Sequence, residues 1–170
     1  KITNKEFNDL PYPTFYGLDF GMSAPTALVC MKTDKDGSYF LHELLYKPLK
    51  NMNGTLSEEF EKLMIPKHIQ IVCDSGNELN LSEGRKLKNA GYNIIFAEKG
   101  QGSVVSAIET MQKSNIYFTE SSANLEDNYE NYQWKTHNGE VLDIPEDSRE
   151  DLIDASKYVI KWYSKRNYLT

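Results

Sequence analysis

Two short apolar runs, each reaching an aspartate, set the strongest limit on what this chain can fold into. The first is Phe15-Tyr16-Gly17-Leu18-Asp19-Phe20-Gly21 and the second Ile69-Gln70-Ile71-Val72-Cys73-Asp74. Runs this short and apolar suit strands covered on both faces, as in the interior of a sheet. A buried carboxylate without a partner is costly, so each acid either caps a turn at its strand end or faces something cationic. Both readings stand open for Asp19, just ahead of Met22-Ser23-Ala24-Pro25, and for Asp74, which opens Asp74-Ser75-Gly76-Asn77. In an open α/β sheet, ligands gather beyond the carboxyl ends of the strands. If the two runs are parallel neighbours, both acids emerge at one rim.

The rest of the pattern supports such a sheet. Residues 26–33 and 38–48 are apolar stretches separated by Asp34-Lys35-Asp36-Gly37, so the first three strands are predicted to form an antiparallel meander. Beyond residue 54, helical and extended patterns alternate. Helices are expected at 55–64, 79–91 (capped by Asn80 or Ser82 and stopped at Gly91), 103–114 and across Ser122–Tyr132, and strands at 69–74, 92–97 and 115–118. Asn138-Gly139 marks a hairpin over 129–144, with Tyr132 and Trp134 on one face and Gln133 and Lys135 on the other. The fold class read from this order is α/β: a three-strand antiparallel meander continuing into parallel strands, helices on both faces, an extra hairpin and a C-terminal amphipathic helix. Residues 1–14, polar and holding Pro11 and Pro13, read as a linker or arm ahead of a single domain over 15–166.

That last helix, 147–166, presents Leu152, Ala155, Val159, Ile160 and Tyr163 as its apolar face. Asp151 and Asp154 lie three residues apart on one side, Asp151 near the apolar border and Asp154 further toward solvent, with Lys157, Lys161 and Lys165 continuing the side of Asp154. Acids in a first turn favour the positive end of a helix, and Lys157 can pair with Asp154. If all three acidic elements instead converge, their carboxylate oxygens suit hard divalent cations. Two such ions about 3.5–4 Å apart support phosphodiester cleavage without a covalent nucleophile. No Gly-x-Ser-x-Gly motif is present, and Cys30 and Cys73 sit inside apolar runs without ligand spacing, so neither a disulfide framework nor a zinc site is read.

A net charge of −6 counts against a metal-free nucleic-acid binder but not against an enzyme that gathers carboxylates for metal. No run approaches the length of a membrane span and no secretory signal is visible. The chain opens on Lys1 rather than Met and reads as a piece of a longer protein.

Residues 16–29 (YGLDFGMSAPTALV), 71–108 (IVCDSGNELNLSEGRKLKNAGYNIIFAEKGQGSVVSAI) and 149–160 (REDLIDASKYVI) together resemble the C-terminal nuclease domain of the large terminase subunit, the DNA-packaging motor of tailed phages. The likeness spans roughly residues 13–163. It implies a ribonuclease H-like fold, with Asp19, Asp74, Asp154 and Asp151 as catalytic residues and ligands of two Mg²⁺ or Mn²⁺ ions. It further implies double-stranded DNA as substrate and a preceding ATPase domain, with small terminase subunit and portal as partners in the host bacterial cytoplasm. Three departures bear on metal positioning: Ala24 replaces an acid before Pro25, Asn77 stands where Glu is common, and Lys157 replaces an arginine. Lys99, in a Gly-rich loop lacking P-loop spacing, is a further candidate for touching a DNA phosphate or a site carboxylate, and Lys135 and His137 in the hairpin for touching DNA backbone. Alternative readings are another ribonuclease H-like nuclease, such as a Holliday-junction resolvase acting on branched DNA, or a non-catalytic DNA-associated module. An actin-like kinase would need a second lobe that this chain is too short to contain.

Overall fold

The computed structural model describes residues 1–98, 100, 103–132, 134–137, 140–145 and 150–167, with backbone alone at 103–104, 134–137, 140–145 and 167. Strands β1 (Thr14–Asp19), β2 (Thr26–Thr33) and β3 (Tyr39–Lys47) form the expected antiparallel meander, and β4 (Gln70–Cys73), β5 (Asn93–Phe96) and β6 (Ile116–Phe118) join it in parallel. The sheet order is β5-β4-β1-β2-β3-β6, which puts β1 and β4, the two acid-ended runs, side by side. A bulge between Leu28 and Val29 of β2 leaves Leu44 of β3 without a paired residue.

The two-residue period of β1, β2 and β4 divides the core cleanly. Tyr16, Leu18, Leu28, Cys30, Ile71 and Cys73 face one side, where they pack with Phe7 of α1 (Asn4–Asp9), Leu56 and Phe60 of α2 (Leu56–Lys62) and Leu87 of α3 (Glu78–Asn89). Ala27, Val29, Met31 and Val72 face the other. There they meet Met111 of α4 (Ser103–Gln112), Leu125 of α5 (Ala123–Glu130) and five residues of α6 (Asp151–Asn167): Leu152, Ile153, Ala155, Val159 and Ile160. Fully burying a Leu, Ile or Val contributes about 1.5–3 kcal/mol, against about 0–1 kcal/mol for a surface ion pair, while a buried pair such as Lys157–Asp154 gives back much of its attraction in desolvation. Apolar burial, not the acids and lysines along its sides, therefore seats α6 on the sheet.

Several elements differ in detail from the sequence reading. The cap of α3 is Asn77, whose side chain accepts from the Asn80 amide at 2.9 Å; neither Asn80 nor Ser82 takes that place. Gly91 does follow the end of α3, at a φ of +97°. Helix α5 stops at Glu130, two residues short of the expected end. The arm at 1–14 contains α1, opened by a reciprocal Thr3–Glu6 capping box that is legible as Thr-x-x-Glu. It is docked: Phe7 is buried, and the Lys32 ammonium donates to the carbonyls of Phe7, Asn8 and Leu10. Strands β7 (Trp134–His137) and β8 (Glu140–Pro145) pair antiparallel in a sheet of their own, but this hairpin starts later than the expected 129–144: Tyr129 and Glu130 end α5, and Tyr132 lies between the two elements rather than on a hairpin face. Asn138, Gly139, Gln133 and Lys99 lie outside the described residues, as do the side chains of Trp134, Lys135 and His137.

Candidate active site

Asp19 belongs to the α6 side of the sheet. It shares the two-residue phase of Gly17, and Gly17 lies directly beneath α6: a Cβ there would stand 2.0 Å from the Ala155 carbonyl oxygen. The absent side chain lets α6 lie against β1. Gly21 serves the turn that follows, where a Cβ would meet the Ala24 carbonyl oxygen at 2.2 Å, and where the Thr26 hydroxyl accepts from the Gly21 amide and donates to its carbonyl, both at 3.0 Å. The two glycines that bracket Asp19 thus pin the strand on which it stands.

Strand register carries the row across the sheet. Leu18 pairs with Cys73, so one step further sets Asp19 beside Asp74 at the carboxyl ends of two parallel strands. On the other side Asp19 pairs with Ala27, and Ala27 with Tyr46 of β3. Small, fully buried Ala27 sits between the aspartate and the tyrosine. The Tyr46 hydroxyl donates to Asp151 Oδ2 at 3.3 Å, which ties the start of α6 to the far end of the row. Asn128 of α5 assists by accepting from the Leu152 amide at 3.2 Å, satisfying one of the open donors of the first turn of α6. Replacing it, Asn128→Ala, should cost about 1 kcal/mol, or roughly 2–4 °C in melting temperature; thermal unfolding checks this.

The acids act on one another. Burial pushes the Asp19 carboxyl up to about 8, and the negative charges of Asp154, Asp151 and Asp74 push the same way against Lys157. Burial also raises Asp151, with Asp154 adding to it and the hydroxyl of Tyr46 opposing. Tyr158, on α6, is raised by burial and by the charges of Asp19, Asp154 and Asp74. All four candidate residues therefore share one electrostatic neighbourhood centred on Asp19. Three have a donor alongside: Asn80 Nδ2 donates to Asp74 Oδ2 at 2.8 Å, the Tyr46 hydroxyl to Asp151, and the Lys157 ammonium forms an ion pair with Asp154 Oδ1.

Lys157 corrects the expected orientation of α6. The side of Asp154 does not run out to solvent: Lys157 is only 6 % exposed and Asp154's side chain 23 %, and exposure returns only toward Lys165. The lysine lies over the ring of Tyr132, 5.5 Å from its centroid, in the segment after α5. Tyr46, Asn80 and Asn128 are site residues that the sequence reading misses as such. Each reaches an acid or the start of α6 from another element, and no spacing along the chain announces that.

Among the described residues, no three His, Cys, Asp or Glu side chains stand close enough together to hold a metal ion as they are placed. The donor chemistry still fits one: the set offers carboxylate oxygens to a hard cation, and Asp19, raised first by burial, is raised further by the charges of Asp154, Asp151 and Asp74. Ligation would require the carboxylates to draw closer together than they stand here.

No protein-family model matches the sequence, and no curated protein matches it. Solved structures do match. The large terminase (g2p) nuclease domain of bacteriophage SPP1, solved with bound Mn, superposes with a TM-score of 0.77 at 23% identity over 95% of this chain and 92% of that one. The P22 large terminase nuclease domain gives 0.68 at 15% identity, covering 90% of this chain and 81% of that chain. For the large terminase of the thermophilic bacteriophage D6E the score is 0.68 at 21% identity; 90% of this chain is covered but only 40% of that longer one. The chain has the fold of the nuclease domain of bacteriophage large terminases.

Proposed function

We propose that this chain is a metal-dependent endonuclease that cuts double-stranded DNA during phage genome packaging, with residues 15–166 as the nuclease unit. The observation that carries the reading is the placement of Asp19 and Asp74 at the carboxyl ends of the adjacent strands β1 and β4, with the charges of Asp154, Asp151 and Asp74 all acting on Asp19, on a fold whose SPP1 counterpart was solved with Mn. In this reading Asp19, Asp74, Asp154 and Asp151 would hold two Mg²⁺ or Mn²⁺ ions. Bound there, the ions would lower the pKa of a water and stabilise charge on the scissile phosphate. The chain's own residues set the stage: Asn80 orients Asp74, Tyr46 orients Asp151, and the Gly17 contact fixes the height of α6 over Asp19.

The arm at 1–14 would join this unit to a preceding ATPase domain, and small terminase subunit and portal would complete the motor in the host cytoplasm. No described helix is long and apolar enough to cross a membrane. A plasmid-nicking assay with Mn²⁺ or Mg²⁺ tests the enzyme directly. Asp74→Asn and Asp154→Asn should each lower the rate about a hundredfold, and Asp151→Asn, already shared with Tyr46, about tenfold. Linear and branched substrates run in parallel should show no preference for the branch. Nicking that survives EDTA, or that is equal in all variants, overturns the assignment.

A further inference from the structure

Lys157 has the burial of a core residue and the charge of a surface one. A lysine is almost never fully buried unless paired, and this one stands within one turn of Asp154, their side chains in an ion pair, with the ring of Tyr132 beneath the ammonium. Burial alone would lower its pKa, but the charge and hydrogen bond of Asp154, together with Tyr132 and Glu150, hold it above its ordinary value. Its charge also favours the ionised form of Asp19, against the charges of Asp154, Asp151 and Asp74, which oppose it. The neighbouring lysines on this side do not share its position. Lys161 is half-buried and Lys165 exposed, the latter 3.4 Å from Glu98.

We propose that Lys157 is the resident counter-ion of the acidic rim, a positioning residue whose charge balances the carboxylates until a divalent cation replaces it. The proposal rests on the metal-dependent reading of the site. Its physical core is independent of that reading: the charges of Asp154, Asp151 and Asp74 oppose the ionisation of Asp19, and a built-in ammonium offsets part of that opposition in the absence of metal. Breaking a buried pair from one side is costly because the other charge remains, whereas replacing both members together is often nearly neutral.

Thermal unfolding in EDTA separates charge from packing. Lys157→Met keeps the length of the side chain and removes the charge; it should lower the melting temperature by several degrees. Adding Asp154→Asn to it should restore most of that loss, even though the second substitution removes a polar contact of its own. A double variant no better than the single one would mean that Lys157 merely fills space, and the proposal would fall. If Lys157→Met gives no folded protein, a folded double variant is itself the rescue. Saturating Mn²⁺ should then raise the melting temperature of Lys157→Met more than that of the wild type, because more uncompensated charge awaits the ion. Equal shifts would overturn the exchange of lysine for metal. A wild type indifferent to Mn²⁺, with rescue by Asp154→Asn intact, would sink the metal reading of the site and leave the counter-ion role of Lys157 standing.

Discussion

Gly17→Ala should unsettle both the fold and the site at once, through a single methyl group. The added Cβ would stand 2.0 Å from the carbonyl oxygen of Ala155 and 2.9 Å from Val159 Cγ1. The first neighbour is helix backbone, which cannot swing aside as a side-chain tip does, so α6 must lift from β1. Overpacking of this kind costs about 3 kcal/mol, or roughly 6–12 °C in melting temperature for a domain of this size. Asp151 and Asp154 ride on α6, so their relation to Asp19 changes with it, and cleavage should fall further than the loss of stability accounts for. Trimming the neighbour with Ala155→Gly should not rescue the variant, because the clash is with the carbonyl rather than the methyl of Ala155. An unchanged melting temperature, or rescue by Ala155→Gly, would show that the helix is not held by this contact. Circular dichroism melts of the three proteins, followed by nicking assays below the lowest transition, make the comparison.

The same glycine shows how far a sequence of this kind can be read. The strands were legible because each is short, apolar and bounded by turn residues, and the alternation of Tyr16 and Leu18 against Gly17 and Asp19 already assigns the acid to one face. Which face carries α6 is a property of the connections, and the pattern alone leaves it open. The acids were legible for a related reason: a carboxylate at the end of a buried strand needs a cause. Their partners were not. Tyr46 reaches Asp151 from 105 residues away, through a β3 register that includes a bulge, and Asn128 reaches Leu152 from another helix. Lys157 looked like the start of a solvated lysine stripe because helical spacing records which residues share a side, but not what else packs on that side. There it is Tyr132, from the segment beyond α5, that closes over the ammonium. Local propensity likewise passed over α1, whose Thr3–Glu6 box lies in a stretch dominated by Pro11 and Pro13.

Asp19→Asn should make the metal-free protein more stable at alkaline pH while removing its activity. The argument begins with the sign of the shift. Burial first, and then the charges of Asp154, Asp151 and Asp74, raise the folded-state carboxyl from 3.8 to about 8. Between those values the folded chain holds a proton that the unfolded chain has released. Stability must therefore decline as pH rises through that window, with no penalty below about 4 and the full penalty above about 8. A shift of this size corresponds to several kcal/mol at most, part of it shared with Asp151, which burial moves in the same direction. An asparagine at position 19 does not titrate. In EDTA at pH 8.5 the variant should melt above the wild type, and the gap should narrow toward pH 5. Divalent cations reverse the balance by favouring the ionised form, so Mn²⁺ should stabilise the wild type, with release of a proton near pH 7, and do much less for the variant. Plasmid nicking should fall by at least about a thousandfold. A variant that melts below the wild type at pH 8.5 would show that ionising Asp19 in the folded chain carries no net cost, from burial or from like charge. A variant that still nicks DNA at the wild-type rate would remove Asp19 from the chemistry altogether, whatever its effect on stability.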